Sequence, residues 1–475
     1  RQMCIRDSRT DSPLASEARR GVMEFLLTSH PLDCPICDQA GECKLQEYSN
    51  DYGQVEGRYE EKKTKKGKNL SIGPRVNLDQ ERCVLCGRCV RFMRDIMHDE
   101  VLTMAQRGTF NAITVYPGRE LDSNYSLNTV DLCPVGALTS KDFRFKMRVW
   151  FLKETKTIDV DCGTGTNIIL WTREDKVYRI TPRPNDAVNS CWMPDSHRLN
   201  YKYINAETRI PQPVIRTDAG APHRPSTWEP ALASVTEAVK RVSPHQLAII
   251  ASGRMTNEEL YMVRHLAAQI GTDMVDIVPR MGESDGMLIA ADRNPNTNGA
   301  KLVLGIEPGS RLAAIRDGVR NGSIKGILTL GEDLTAPEAG FTAEDLKKLD
   351  YLFMTAHSVN ETARHADLVL PGVTYAEKFG TMINVTGRIQ RLNRAIQPVG
   401  YARDDWQILR DITLLLGGNP ALKDFNSALD ILTVMSTEYG ALNGVTWGSI
   451  GDGGQPILET GVTIPVVEHE KSQGR

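Results

Sequence analysis

"RCVLCGRCVRF", Arg82 to Phe92, places Cys83, Cys86 and Cys89 at C-x2-C-x2-C spacing. Two-residue spacers let three thiolates converge on one face of an iron–sulfur cubane. A distant Cys-Pro then supplies the fourth corner, as in ferredoxin-type 4Fe–4S sites. "DLCPVGAL" offers that partner in Cys133. Zinc is the alternative occupant. Structural zinc usually takes two separated C-x2-C knuckles, not a triple run with one remote Cys-Pro, so the spacing favours 4Fe–4S. A loop-rich, ferredoxin-like fold is expected for this part of the chain.

Upstream, "SHPLDCPICDQAGECKLQ" (29–46) reads H-x3-C-x2-C-x5-C, with His30, Cys34, Cys37 and Cys43. Three cysteines leave a cubane one ligand short. Asp33, Asp38, Glu42 and His30 all stand near enough in sequence to complete it. Apolar residues at 22, 25 and 26 give residues 17–30 helical spacing, and Pro31 should end that helix. His30 then sits at the helix C-terminus, towards the cysteine loop. Imidazole is an acceptable iron ligand. Being neutral, it should raise the potential relative to an all-thiolate site. The plainer reading is a helix-end histidine with a satisfied hydrogen bond, and spacing alone leaves the choice open.

The rest of the composition narrows the function classes. At about 150 residues per domain, 475 residues suggest about three domains. A net charge of −3 gives no reason to expect nucleic acid as a partner. The basic run "EKKTKKGK" (61–68) reads as a solvated loop. No stretch reaches the ~18 apolar residues of a membrane span, and no signal peptide is visible, so any service to a membrane runs through partners. The ten cysteines crowd into the front of the chain, with none after Cys191. Tight clusters of that kind indicate metal rather than a disulfide scaffold.

Beyond about residue 155, "TIDVDCGTGTNIILWTREDKVYRITPRP" alternates like short antiparallel strands. After a Pro-rich connection near 210 an alternating α/β pattern follows. "TNEELYMVRHLAAQIG" is a helix with a capping box, Thr256 to Glu259, and a terminal Gly271. "KLVLGI" (301–306), "GILTLG" (326–331), "YLFMT" (351–355) and "ADLVLP" (from Ala366) are expected as buried parallel strands, with helices such as "RLAAIRDGVRNG" between them. The tail after Gly418 is weakly patterned.

Three stretches together, "GVMEFLLTSHPLDCPICDQAGECKLQ", "IGPRVNLDQERCVLCGRCVRF" and "DLCPVGALTSK", resemble the G subunit of bacterial NADH–quinone oxidoreductase, respiratory complex I, and its mitochondrial 75 kDa counterpart. The resemblance implies a His-ligated 4Fe–4S cluster on His30, Cys34, Cys37 and Cys43, and an all-Cys 4Fe–4S cluster on Cys83, Cys86, Cys89 and Cys133. "VNETARHADLVLPGVTYAEKFGTMINVTGRIQRLNRAIQPVGYARDDWQIL" is similar to the molybdopterin oxidoreductase superfamily. Gly380, Asn384 and Gly387 are read as shaping loops of that inherited fold, with no molybdenum expected. The family begins with a 2Fe–2S domain, and "TDSPLASEAR" matches the segment after its last ligand. The chain, starting on "RQMCIRDSRT", is therefore expected to be a fragment lacking the 2Fe–2S domain, with Cys4 binding nothing. A further family cluster would need four cysteines near the entry to the large domain. Only Cys162 and Cys191 are present, so they are read as structural or solvent-facing thiols.

The expected organisation is α/β. Residues 1–70 form a His/Cys3 4Fe–4S region and 71–150 a ferredoxin-like 4Fe–4S domain. Residues 151–210 are a degenerate cluster domain without a cluster, 211–420 a molybdopterin-oxidoreductase-like domain with parallel sheets, and 421–475 a tail. The resemblance implies an electron-transfer subunit without catalytic residues of its own. It would work between an NADH-binding flavoprotein and quinone-side iron–sulfur subunits of the peripheral arm, on the cytoplasmic face of the bacterial inner membrane. The main rival is a molybdenum formate dehydrogenase catalytic subunit, which should carry a cysteine or selenocysteine metal ligand in the large domain. The absence of cysteine after Cys191 argues against it. An iron hydrogenase lacks its further cysteines here, and a zinc-stabilised module would be colourless in the visible.

Overall fold

The computed structural model describes residues 9–216 and 221–472, with side chains through Glu468; Cys4 lies outside them. The chain divides into two units. One comprises residues up to Lys153 together with Pro194–Leu199, the other Glu154–Met193 and the chain from Asn200 onward.

In the first unit, helix α1 (Pro13–Thr28) starts earlier than its apolar spacing suggests. Ser12 accepts a hydrogen bond from the Ala15 N–H at 3.2 Å, and Pro13 occupies the first turn, where its missing N–H costs nothing. Helix α2 (Lys44–Tyr52) follows the cysteine loop. Two small antiparallel sheets come next: Leu70–Ser71, Val76–Leu78 and Leu138–Ser140 in one, Leu102–Ala105 and Ala112–Val115 in the other. Their core is Val76, Leu78, Met93, Ile113, Leu121 and Leu127. The strands are two to four residues long, so loops carry most of the chain. Pro194–Leu199 is tied in through charge. Buried Asp195 accepts from the Leu127 N–H at 3.0 Å, and Arg198 grips Asp131 at 2.8 Å.

The second unit opens with the expected antiparallel strands, Lys153–Ile158, Asn167–Arg173 and Lys176–Pro182. Its main sheet has five parallel strands in the spatial order Leu368–Pro371, Tyr351–Ala356, Gly326–Leu330, Leu247–Ala251, Val275–Ile277. Two short antiparallel strands, Val214–Ile215 and Arg224–Pro225, extend one edge. Alternate residues feed two cores. Ile249, Leu328 and Phe353 face one, while Ile250, Ile327 and Met354 face the other. A sheet buried on both faces explains why its strands read as unbroken apolar runs.

"GILTLG", "YLFMT" and "ADLVLP" are strands as expected, and Leu312–Asn321 is a helix. "KLVLGI" is not a strand. It ends a helix, Thr297–Leu304, closed by Gly305 at φ 67°. Four apolar residues cannot separate the two periods. The deciding fact is tertiary: Ala300 and Val303, three apart, enter the core while Lys301 stays exposed. The weakly patterned tail contains a further helix, Ala428–Glu438, with Ser427 and Asp430 forming a capping box and Ile431, Leu432 and Met435 in the main core.

The capping box of Asn257–Ile270 is present, with Thr256 N–H on Glu259 at 2.8 Å. The same carboxylate receives buried Lys378 at 2.8 Å. Asp404 and Asp405 lie beside this pair, and Arg394 pairs with Asp404 at 3.2 Å. Burial pushes Asp404 up to about 6 and Glu258, hydrogen-bonded to Thr381, up to about 7. Asp405 is also raised, by burial first and then by Glu259. A carboxyl whose folded pKa is raised adds stability at low pH, and loses it as pH rises through that folded value. The second unit should therefore melt lower at about pH 8 than at about pH 6, at about 1.4 kcal/mol per tenfold change in proton affinity. His357, held down to about 4 by burial and then by Arg209, opposes this trend only below about pH 6.5. Thermal melts of Asp405→Asn should show a smaller drop between the two pH values; an unchanged drop would exonerate this carboxyl.

Candidate metal centres

The C-x2-C-x2-C segment wraps tightly because two residues in it adopt left-handed backbone. Leu85 has φ 55° and Gly87 φ 71°. At Gly87 a side chain would strain the backbone and meet Met104. The Leu85 N–H points back to the Cys83 sulfur at 3.4 Å. Cys86 is exposed, and Cys89 is buried in the short helix Arg88–Arg91. Cys133 follows the helix Asn128–Leu132 directly. Cys83, Cys86, Cys89 and Cys133 line one cavity, walled by Leu78, Ile113, Val135 and Leu138. Burial, then the neighbouring cysteines, pushes Cys89 up to about 12; burial and a lesser push from Cys83 and Cys86 bring Cys133 to about 11. Four sulfurs facing one apolar-walled space fit a soft, thiolate-bound metal group, whose binding must displace the protons.

The second cysteine loop lies between α1 and α2. Cys34 opens a turn closed by the Cys37 N–H on the Cys34 carbonyl at 3.1 Å, and Cys43 caps α2. Cys37 and Cys43 are buried and Cys34 is exposed. Burial raises both buried thiols; to a lesser degree Cys43 raises Cys37, and Cys34 raises Cys43. Arg148 donates to the carbonyls of Pro35 and Cys37, fixing the turn.

His30 stands two residues past the end of α1. Lys63 donates to the carbonyls of Leu27 at 2.8 Å and His30 at 2.7 Å, tying down the helix end. The His30 Nδ1 is buried with no hydrogen-bond partner. Burial lowers its pKa and keeps the ring neutral, the form that binds metal. Asp33 and Arg82 act on both the His30 ring and the Cys37 thiol. Of the carboxylates, Asp33 is held by Arg82 and Lys68, and Asp38 accepts from the Phe145 N–H at 2.8 Å.

The segment after Cys133 packs against the His/Cys loop. Pro134, next to Cys133, accepts from the Lys44 N–H at 3.2 Å and lies 3.7 Å from the Cys43 sulfur. Gly136 packs so closely on Cys37 that a Cβ would stand 2.3 Å from its sulfur. The basic run 61–68 is only partly solvated. Besides Lys63, Lys66 donates to the Asn111 carbonyl at 2.7 Å, and Lys68 pairs with Glu81 at 3.0 Å. Sequence reading missed this strap because a charge run carries no periodicity to mark which lysines turn inward.

In the second unit Cys162 is buried against the Leu288 carbonyl at 3.8 Å, and burial pushes it up to about 11. Cys191 is half-buried. The Asn384 side chain is fully engaged by the protein: its oxygen accepts from the Arg388 N–H at 2.9 Å and the Thr386 hydroxyl at 2.8 Å, and its amide donates to the Thr164 carbonyl at 3.0 Å. Among the described residues no helix is long and apolar enough to cross a membrane.

Family profiles match along the chain. Residues 19–58 match the NADH-ubiquinone oxidoreductase-G iron-sulfur binding region. Residues 73–139 match the ferredoxin-like domain of NADH-quinone oxidoreductase subunit 3. Residues 152–202 match the NDSU1/NuoG-like 4Fe-4S domain, and 277–413 molybdopterin oxidoreductase. The mitochondrial NADH-ubiquinone oxidoreductase 78 kDa subunit of Candida albicans is 30% identical, over 88% of this chain and 74% of its own length. The NADH-quinone oxidoreductase G subunit of Rickettsia bellii is 32% identical, over 86% of this chain and 61% of its own. The mitochondrial NADH dehydrogenase [ubiquinone] iron-sulfur protein 1 of Solanum tuberosum is 41% identical over 56% of this chain and 36% of its own. With ferredoxin-like iron–sulfur regions ahead of a molybdopterin-oxidoreductase-like α/β domain, and this similarity along most of its length, the chain belongs to the family of the NADH–quinone oxidoreductase G subunit and the mitochondrial 78 kDa subunit.

Proposed function

We propose that this chain is an electron conduit of NADH–quinone oxidoreductase, carrying electrons from the NADH-oxidising flavoprotein subunit through two 4Fe–4S clusters towards quinone. The observation that carries this reading is the segment Cys133–Gly136. It belongs to one ligand set and packs against the other, through Pro134 on Cys43 and Gly136 on Cys37. Cys83, Cys86, Cys89 and Cys133 would hold the all-Cys cluster. His30, Cys34, Cys37 and Cys43 would hold the other, with His30 supported by its unpartnered buried Nδ1 and by the engagement of Asp33 and Asp38 elsewhere. A bound 4Fe–4S cluster supplies a one-electron couple, whose potential the protein sets by ligand type, hydrogen bonds and burial.

The partners are the flavoprotein and the quinone-side iron–sulfur subunits, with a 2Fe–2S centre of the family on the flavoprotein side. The place is the peripheral arm on the cytoplasmic face of a bacterial inner membrane. Residues 151–210 hold two cysteines, too few for a cubane, and are proposed to carry no cluster. The large domain is proposed as a scaffold without molybdenum; it has no cysteine to ligate the metal, and the Asn384 side chain is occupied by protein partners.

Iron and sulfide analysis after anaerobic reconstitution tests the reading. About eight irons and about eight sulfides per chain are expected, with two 4Fe–4S signals in low-temperature EPR. About twelve irons would return a cluster to the Cys162–Cys191 region, and a stoichiometric pterin would revive the formate dehydrogenase reading.

A further inference from the structure

Arg82 begins in one ligand loop and ends in the other. Its backbone directly precedes Cys83. Its side chain, only 4% exposed as a residue, turns away to the His/Cys loop and forms a two-pronged pair with Asp33, the neighbour of Cys34. The Nε–Oδ1 and Nη2–Oδ2 distances are 3.1 and 2.8 Å. Asp79 also holds Arg82, accepting its backbone N–H at 3.3 Å and facing its Nε at 3.5 Å. Lys68 balances the acids, reaching Asp33, Asp79 and Glu81 at 3.3, 3.5 and 3.0 Å. The guanidinium is thus held along its Nε–Nη2 edge, and planar two-pronged pairing leaves it little freedom to turn.

The paired guanidinium lies on the His/Cys side, because its partner Asp33 directly precedes Cys34. Arg82 is among the charges acting on the Cys37 thiol and, after Asp33 and Lys63, on the His30 ring.

We propose that Arg82 is a positioning and potential-setting residue for the His30–Cys34–Cys37–Cys43 site, reaching across from the all-Cys loop to raise that site's reduction potential. The inference rests on the function proposed above. A reduced cluster carries one more negative charge than an oxidised one, so a buried cation beside Cys37 stabilises the reduced form. Low local dielectric makes the charge count for more than it would at the surface. The Arg82–Asp33 pair also holds the two loops together, because each partner adjoins a ligand. The His/Cys set would then be a better electron acceptor with Arg82 in place than without it.

The test is a redox titration followed by low-temperature EPR on the reconstituted full chain and its variants Arg82→Gln, Arg82→Lys and Asp33→Asn. Arg82→Gln should lower the potential of the His/Cys site, and Arg82→Lys should restore most of it. Asp33→Asn removes the counter-charge and should raise that potential. The all-Cys potential should stay put in all three. Opposite signs for Arg82→Gln and Asp33→Asn separate a charge effect from mere loosening, which would move both the same way. If Arg82→Gln fails to fold, the Lys and Asn variants still decide. Unchanged His/Cys potentials, or shifts of one sign, overturn the proposal while leaving the two-cluster reading intact. Absence of a His/Cys signal in the unmodified protein would instead defeat that reading, and the proposal with it.

Discussion

Cys86→Ala should cut the iron of the reconstituted chain from about eight to about four per molecule and abolish one EPR signal while sparing the other. Cys86 is the exposed member of its set, so its loss removes a ligand without opening a cavity. No residue is shared between the two sets, so the His/Cys site should survive. Cys133→Ala makes an instructive contrast. Its loop continues into Pro134 and Gly136, which rest on Cys43 and Cys37. Disturbing that loop should broaden or shift the His/Cys signal as well. If Cys86→Ala removes all iron, the sites form cooperatively and the two-set assignment fails. If it removes none, Cys86 is not a ligand.

His30→Ala should leave the His/Cys site an iron with an open position, giving a 3Fe signal or loss of that site. His30→Cys should keep a 4Fe signal but move its potential down, because an anionic thiolate replaces a neutral imidazole. The structure sharpens this expectation. Lys63 fixes the His30 carbonyl, so a substituted side chain starts from the same backbone position. The buried Nδ1 has no protein partner, so removing the ring costs no hydrogen bond within the chain. Any large spectral change would then report lost ligation rather than a collapsed loop. Unaltered spectra and potentials in both variants would rule His30 out and bring the carboxylates, Glu42 among them, back into consideration.

How much of this could be read in advance depended on the range of the interaction. The candidate ligands sit within one short loop each, apart from Cys133, and the spacers C-x2-C-x2-C and H-x3-C-x2-C-x5-C express geometry that adjacent backbone imposes. Three of the five parallel strands were legible too, since burial on both faces demands unbroken apolar runs such as Gly326–Leu330, whereas Leu247–Ala251 and Val275–Ile277 were not among the expected runs. So was the Thr256–Glu259 cap, a contact across three residues.

Other features belonged to the tertiary structure. "KLVLGI" satisfies helix and strand alike, and only the core that receives Ala300 and Val303 chose the helix. The Asp33–Arg82 pair spans 49 residues, and the Cys43 sulfur meets Pro134 across 91. Local propensity says nothing about such pairings, because chain closure over those distances is decided by the whole packing. The sequence by itself therefore determined which side chains can bind iron and which runs must be buried. Folding alone decided that one loop, Cys133–Gly136, and one charge, Arg82, would bring the two ligand sets into contact.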